Sequence, residues 1–415
     1  MSARPRIAVV KPDFGAVGGF ERHLDALERG LGQRGWDLTR IEIDGRTRPR
    51  RIGGLPVLPV NLEHHDEYFM YLGLVERVRA LRLNRFDLVL TTQPPSYLVD
   101  HPRTVALCYH QARQFYDLAD LFATSGFVDP ELHARAVGHV RSIDTPLVQS
   151  VRYWLAGSAD VAGRLRDYWS IPADRIALHH APPTTAPATA PATGTAGTPT
   201  STPDAAGARG PVVCVGRQEW PKRTELVVQA IHLVAAPTRA VLIGGGSRLD
   251  MVRSLDRSCG ADPAARRWPA ARTWMNRGIF TPGWRPAGGD PSGRVVFTGD
   301  VDDRTRDRWY EDALAVIAPA HREDYGLTAL EAMARAKPVI VCRDGGGLTE
   351  TVVDGVTGLV VEPGPDALAA AIERLATDPD AARRMGLAGR ARVAPVTIDA
   401  AVDQVETTFR RVLAD

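Results

Sequence analysis

Twice along its length this chain repeats one pattern, short β-branched runs alternating with helical stretches, and the two series are separated by a segment that has little with which to fold. From Ala181 to Gly210 the composition is Pro, Thr, Ala and Gly with almost no large apolar side chain. Burial there cannot offset the entropy of ordering, so the stretch reads as a linker or mobile loop. Before it stand Arg6–Val10, Asp87–Thr91, Thr104–Cys108 and Leu155–Ser158, with a helical pattern from near Phe20 marked by Leu24, Leu27 and Leu31. After it stand Pro211–Val215, Ala240–Ile243, Arg294–Phe297, Ala315–Ile317 and Pro338–Val341. Runs of this kind suit strands buried on both faces, and their alternation with helices implies parallel sheets covered on both sides. The expected fold is α/β, with two doubly wound domains facing across a cleft and ligands at the strand C-terminal ends. The boundaries fall at 1–183, a Pro/Thr/Ala-rich linker at 184–210, and 211–395. Residues 396–415 form a closing helix with Val402, Val405, Phe409 and Val412 on one side and Thr397 as its cap. The stretch from Cys259 to Gly293, rich in Pro, Gly, Arg and Trp, breaks the second series and reads as an insertion.

Composition removes several classes. No run of about 18 apolar residues exists, which argues against a transmembrane helix. Met1–Lys11 leads straight into a strand pattern without the features of a signal peptide. Cys108, Cys214, Cys259 and Cys342 are too scattered for a zinc site or a disulfide scaffold. The expected location is cytoplasmic, with the inner membrane surface as the alternative. A net charge of +2 gives no reason to expect nucleic acid as a partner. Only Lys11, Lys222 and Lys337 are lysines among 51 basic residues, so each is a candidate for a task that needs a compact ammonium.

The sharpest local signal is Arg322-Glu-Asp-Tyr-Gly-Leu-Thr-Ala-Leu-Glu331. Leu327, Leu330 and Ala334 fit one side of a helix that Lys337-Pro338 ends. Gly326, Leu327 and Thr328 then lie at its N-terminus, where open N–H groups and the helix dipole suit a phosphate. Glu323 precedes the helix, and Glu331 lies about two turns in, where it can accept from a ribose diol. A second constellation, Gly216-Arg217-Gln-Glu-Trp-Pro-Lys222-Arg223, follows a strand directly, and Arg217 with Lys222 can clamp a diphosphate. A third, Gly15-Ala-Val-Gly18-Gly19, precedes a helix and allows close approach of backbone to a phosphate. It lacks the spacing of the dinucleotide fingerprint, which removes an NAD-dependent oxidoreductase.

Glu323, seven intervening residues and Glu331 resemble the Glu-x7-Glu motif of the retaining glycosyltransferases with the two-domain GT-B fold. Pro338-Val-Ile, Gly345-Gly-Gly-Leu-Thr-Glu350, Asp354-Gly355 and Thr357-Gly358 resemble the continuation of that pattern. The resemblance implies two Rossmann-like domains, the first binding acceptor and the second a nucleotide sugar. It implies that Arg217 and Lys222 hold the donor diphosphate, and that Gly18 and Gly19 contact donor phosphate. Cys108-Tyr109-His110-Gln-Ala-Arg113 resembles a Tyr-x-His-x-x-Arg pattern of mannosyl-type members and implies His110 near the transferred sugar. The implied catalytic set is Glu323, His110, Arg217 and Lys222. The implied donor contacts are Gly18, Gly19, Arg217, Lys222, Gly326, Leu327, Thr328 and Glu331.

The expected activity is transfer of a hexosyl group from a nucleotide-diphosphate sugar, of the GDP-mannose or UDP-glucose type, to a hydroxyl acceptor with retention of configuration. The acceptor can be a lipid, a glycan or a small natural product, and a lipid acceptor would bring peripheral contact with a membrane. Neither a metal nor another cofactor is expected. The alternative is a non-catalytic GT-B-like protein that binds a sugar nucleotide or a partner. Two other features read as structural. Asp300-Val-Asp302 has metal-site spacing, but Asp302 precedes a helical run and serves better as a cap. Arg46, Arg48, Arg50 and Arg51 read as a solvated loop rather than a lipid-binding patch.

Overall fold

The computed structural model describes residues 4–15, 18–49, 52–55, 65–126, 128–183, 210–273 and 293–414. Most of the Pro/Thr/Ala-rich stretch, much of the 259–293 insertion, and Arg50 and Arg51 lie outside the described residues. The chain divides into two units, one comprising Met1–Pro182 with Val396–Asp415, the other Pro183–Pro395.

The first unit is built on β1 (Arg6–Asp13), β2 (Asp37–Asp44), β3 (Leu88–Thr91), β4 (Thr104–Cys108), β5 (Tyr153–Ala156) and β6 (Ile176–Leu178). They form one sheet in the order β2-β1-β3-β4-β5-β6, and every neighbouring pair is parallel. β3 and β4 are buried along their full length, as their unbroken apolar runs require. The second unit repeats the plan with β7 (Val212–Val215), β8 (Ala240–Ile243), β9 (Val295–Gly299), β10 (Ala315–Ala318), β11 (Val339–Cys342) and β12 (Gly358–Val361). Their order is β12-β11-β10-β7-β8-β9, again all parallel. Each unit is thus a doubly wound, Rossmann-like domain, as expected.

Three strands escape a search for buried runs: β2, β6 and β12. All lie at sheet edges. β2 is mostly partly exposed, so polar residues interrupt it. β5 begins two residues before the apolar run suggested, at Tyr153, and ends at Ala156.

The terminal helix, Ile398–Ala414, buries Val402, Val405, Phe409 and Val412, and Thr397 Oγ1 accepts from the Ala400 N–H at 3.2 Å. It packs on the first unit. A Cβ on Gly30, in the helix Gly19–Gln33, would lie 2.5 Å from Val402 Cγ2, so glycine is what lets the two helices approach. Trp36 meets Phe409 edge-on at 5.4 Å, and Arg34 bonds Glu406 at 3.0 Å and also Asp403. Among the described residues no helix is long and apolar enough to cross a membrane. All four cysteines are buried and free.

Candidate functional site

Because all strands of a sheet run in parallel, the loops that leave their C-terminal ends gather on one edge. In the second unit the loops after β7, β10 and β11 are bonded together by their backbones. His321 N–H donates to Pro221 O, Arg322 N–H to Asp344 O, Glu323 N–H to Gly345 O, and Gly347 N–H to Glu323 O, all at 2.8–3.0 Å. One side chain fastens all three. Arg223 forms a two-point pair with Asp344 at 2.6 and 2.9 Å and donates to Pro319 O and Ala320 O. His321 Nδ1 lies 2.9 Å from the same carboxylate. Burial alone would raise the Asp344 pKa, but the hydrogen bonds from His321 and Arg223 hold it well below the usual carboxylate range.

That frame sets a cleft walled by Cys214, Gly216 and Lys222 from the β7 side, and by Pro319, Glu323, Gly326, Thr328 and Leu348 from the others. Lys222 Nζ and Glu323 Oε2 are 2.6 Å apart across it. The helix Leu327–Ala334 starts at its base. Its cap, Gly326, has φ +89°, and a Cβ there would lie 2.5 Å from Leu348 Cδ2, so only glycine fits without strain. Lacking a side chain, Gly326 gives the first-turn N–H groups no side-chain cap. Thr328 Oγ1 donates to Val215 O at 3.3 Å, which draws the helix start against the end of β7. The structure therefore brings Lys222, Glu323, Gly326 and Thr328 together at one opening. Cys214 also lines the cleft, but burial pushes its thiol pKa up to about 12, so it stays protonated.

Two expected donor ligands stand elsewhere. Arg217 is exposed on the loop after β7, outside the cleft lining. Glu331 is the fifth residue of its helix, one turn in rather than two, because the helix begins only after Gly326. It is buried, and its Oε2 accepts from the Tyr310 hydroxyl at 3.0 Å. Asp302 caps the helix Asp303–Asp312 by accepting from Thr305 N–H at 2.7 Å, and Asp300 accepts from Gly245 N–H at 2.8 Å. Both aspartates are thus taken up by backbone.

In the first unit, Gly18 and His110 lie beyond the C-terminal ends of β1 and β4, on one sheet edge. Gly18 caps the helix Gly19–Gln33, but its N–H already donates to Glu21 Oε2 at 2.9 Å. Lys11 Nζ is buried 3.7 Å from Glu21 Oε1 and donates to Pro12 O, so it is a structural cation. His110 Nδ1 is 2.8 Å from Gln111 O. A carbonyl can only accept, so Nδ1 carries a proton, which in the neutral tautomer leaves Nε2 as the acceptor. Arg113 is bonded to Asp117 at 2.8 Å, and Arg164 approaches the same carboxylate. Arg46 pairs with Asp13 and Arg48 with Asp66, so both serve ordinary surface ion pairs.

Sequence reading passed over the fastening role of Arg223, Asp344 and His321, and the glycines after β8. A Cβ on Gly244 would lie 2.3 Å from Gly216 O, and one on Gly246 2.6 Å from Gln218 O, so the β7 and β8 loops touch backbone to backbone. The triple glycine 244–246 at a strand end was the available signal.

Paired Rossmann-like units, each with its loops gathered at the strand C-terminal edge and one holding a cation beside an uncapped helix start, define a class: the GT-B fold. Solved structures agree. The chain superposes on sucrose-phosphate synthase from Thermosynechococcus elongatus with a TM-score of 0.66, covering 99% of this chain and 100% of that one at 20% identity. It superposes on Anabaena HepE in complex with UDP and glucose with a TM-score of 0.59, covering 98% and 100% at 14% identity. Residues 290–392, all in the second unit, match the family described as Glycosyl transferases group 1. Over 81 residues it is 47% identical to the D-inositol 3-phosphate glycosyltransferase of Kribbella flavida, 19% of each chain. Over 112 residues it is 38% identical to the mouse alpha-1,3/1,6-mannosyltransferase ALG2, 27% of each chain. The chain thus spans well under half the length of these curated relatives.

Proposed function

We propose that this chain transfers a hexosyl group from a nucleotide-diphosphate sugar, of the GDP-mannose or UDP-glucose type, to a hydroxyl acceptor with retention of anomeric configuration. The observation that carries this reading is the Lys222 ammonium held 2.6 Å from Glu323 at the mouth of an uncapped helix start. A diphosphate entering the cleft competes with Glu323 for Lys222. Lys222, the first-turn N–H groups of Leu327 and Thr328, and Arg217 folding in from its exposed loop then meet the negative charge that gathers on the leaving diphosphate. Glu323, released from its partner, turns to the sugar hydroxyls or to the positive charge on the ring. The bond from the anomeric carbon to phosphate oxygen breaks as the acceptor oxygen bonds on the same face, and the acceptor proton passes to the departing phosphate oxygen. No side chain acts as nucleophile. With three sources of positive potential on the leaving group, the step is assigned no metal. Glu331 receives the ribose hydroxyls after its Tyr310 contact shifts, the Gly18–Gly19 turn meets donor phosphate, and His110 offers Nε2 to a substrate hydroxyl. A cytoplasmic location and a lipid, glycan or small-molecule acceptor remain part of this proposal. Glycosyl and mannosyl transfer, the activities that the curated relatives are named for, support the choice of reaction.

A thermal-shift screen across nucleotide sugars tests donor binding, because a ligand at 100 times its Kd stabilises by about 2.7 kcal/mol. Acceptor-dependent nucleotide release, unaffected by EDTA, and an NMR spectrum with the donor's anomeric configuration are then expected. Donor binding without release against a panel of lipid, glycan and small-molecule acceptors would instead identify a non-catalytic sugar-nucleotide-binding protein.

A further inference from the structure

The first unit has a second concavity, on the sheet edge opposite to Gly18 and His110. It is a cavity of about 440 Å³, within the usual range for small-molecule sites. Pro102, Arg152 and Arg175 line it from just before β4, β5 and β6, so it sits where those strands begin. Arg411, from the terminal helix, closes one side with its guanidinium 4.9 Å from the centre of the Tyr153 ring. Ser150 adds a hydroxyl.

Three arginines therefore converge on one hollow, and no carboxylate lines it. Elsewhere in the unit Arg34, Arg40, Arg46, Arg48, Arg113 and Arg164 each pair with an acid. Among the described residues Arg152, Arg175 and Arg411 have no carboxylate partner. Arg175 is also held in place. Its Nε donates to Arg152 O at 3.3 Å, and its Nη2 to Gln149 O at 2.9 Å and to Val151 O. Nη1 makes no hydrogen bond among the described residues. Burial lowers the Arg175 pKa, Asp174 partly offsets this, and neighbouring Arg152 lowers it again. Like charges are thus kept close on a fixed scaffold, an arrangement that an anion in the hollow would stabilise.

We propose that this hollow is a binding site for a small phosphate-bearing anion, separate from the sheet edge that carries Gly18 and His110. Planar guanidinium forks match phosphate oxygens two at a time, and the volume admits a diphosphate or a phosphorylated sugar-sized group. The phosphate can come from a soluble metabolite or from a lipid headgroup that reaches into the hollow.

The test is calorimetric titration of inorganic pyrophosphate into the full chain, as wild type and as Lys222→Ala, Arg152→Ala and Arg152→Ala/Arg411→Ala. Wild type and Lys222→Ala share one binding event. Arg152→Ala weakens that event about tenfold, and the double variant loses it. The Arg152 side chain is exposed, so its removal leaves the melting temperature unchanged and the single variant decides the matter if the double variant unfolds. Co-sedimentation with phosphatidylcholine vesicles containing phosphatidic acid, lost in the same variants, assigns the phosphate to a lipid; pyrophosphate binding without co-sedimentation assigns it to a soluble ligand. The proposal is overturned if the only event in wild type disappears in Lys222→Ala, if wild type binds no pyrophosphate, or if Arg152→Ala binds with unchanged affinity.

Discussion

Two helices in this protein begin at a glycine beside a glutamate and a lysine, one in each unit, and their starts are arranged in opposite ways. In the first unit Glu21 turns back onto the Gly18 N–H and also draws in Lys11, so cap, acid and base form a closed set. In the second, Gly326 leaves its helix without a side-chain cap, and Glu323 bonds instead to Lys222 across an open cleft. Neither glycine gives its first turn a side-chain cap, but in one place the acid satisfies the cap N–H and in the other it spans an open cleft to a lysine. What separates them is whether the acid lies within the helix, as Glu21 does, or ahead of it, as Glu323 does. An acid at the third helical position reaches back to the cap N–H, whereas one before the cap points away from the first turn.

Variants can break this contrast or sharpen it. The largest effect is expected from Lys222→Ala, which should lower turnover by about 10²–10³-fold, the range found for losing one stabiliser of transition-state charge. Its melting temperature should stay near wild type, since Lys222 is partly exposed. Wild-type turnover in a nucleotide-release assay would remove the second-unit opening as the donor site. Arg223→Ala should come next, costing about 2–4 kcal/mol of stability by denaturant unfolding, because it strips Asp344 and two backbone carbonyls of a shared buried donor. A loss under about 1 kcal/mol would mean the loops hold without this fastening.

The paired substitutions Gly326→Ala and Gly18→Ala compare the two helix starts directly. At Gly326 the positive φ and the contact with Leu348 predict a loss of about 1–3 kcal/mol. At Gly18, where φ is −116° and a Cβ meets only Glu21 Oε2 at 3.3 Å, the loss should stay under about 1 kcal/mol. Equal losses would show that backbone strain is not what marks the second-unit start.

A pH-dependent effect concerns a buried acid that, unlike Asp344, has no cation. Asp144, in the helix Pro130–Val148, accepts from the Tyr71 and Tyr116 hydroxyls at 2.6 and 2.7 Å. Burial outweighs those bonds and raises its pKa to about 7. A raised carboxyl binds its proton more tightly in the folded state. Its contribution is therefore fully present below the unfolded pKa near 4 and is lost as pH rises through 7. Asp344, held low, behaves in the opposite sense, losing its contribution only in acid. Asp144→Asn should flatten the fall in first-unit stability between pH 4 and 7, read by urea unfolding at each pH. An unchanged slope would assign the fall to other groups.

Much of this was legible in the residues. The buried strands at Thr104–Cys108 and Ala240–Ile243 appear within the bounds their apolar runs suggest, because a strand covered on both faces tolerates few polar residues. The terminal helix was equally plain, from the spacing of Val402, Val405, Phe409 and Val412. Of the four edge strands only β9 was read from its apolar run; β2 is interrupted by polar residues, β6 is only three residues long, and β12 was passed over. Within the candidate site, the sequence named Lys222, Glu323, Gly326 and Thr328 from local chemistry, a strand end followed by a cation and a helix start preceded by an acid. It could not tell that Glu331 turns to Tyr310, that Arg217 stays outside the cleft lining, or that Arg223 faces Asp344 from 121 positions away.

Local spacing and composition by themselves determined two doubly wound units and a helix start beside a lysine, because strand burial and helix polarity depend on neighbours in sequence. Only the tertiary structure decided which carboxylate meets which cation, returned the terminal helix to the first unit, and gathered Arg152, Arg175 and Arg411 around a common hollow. Those pairings depend on which loops the parallel sheets bring to the same edge, and no short stretch of chain encodes that.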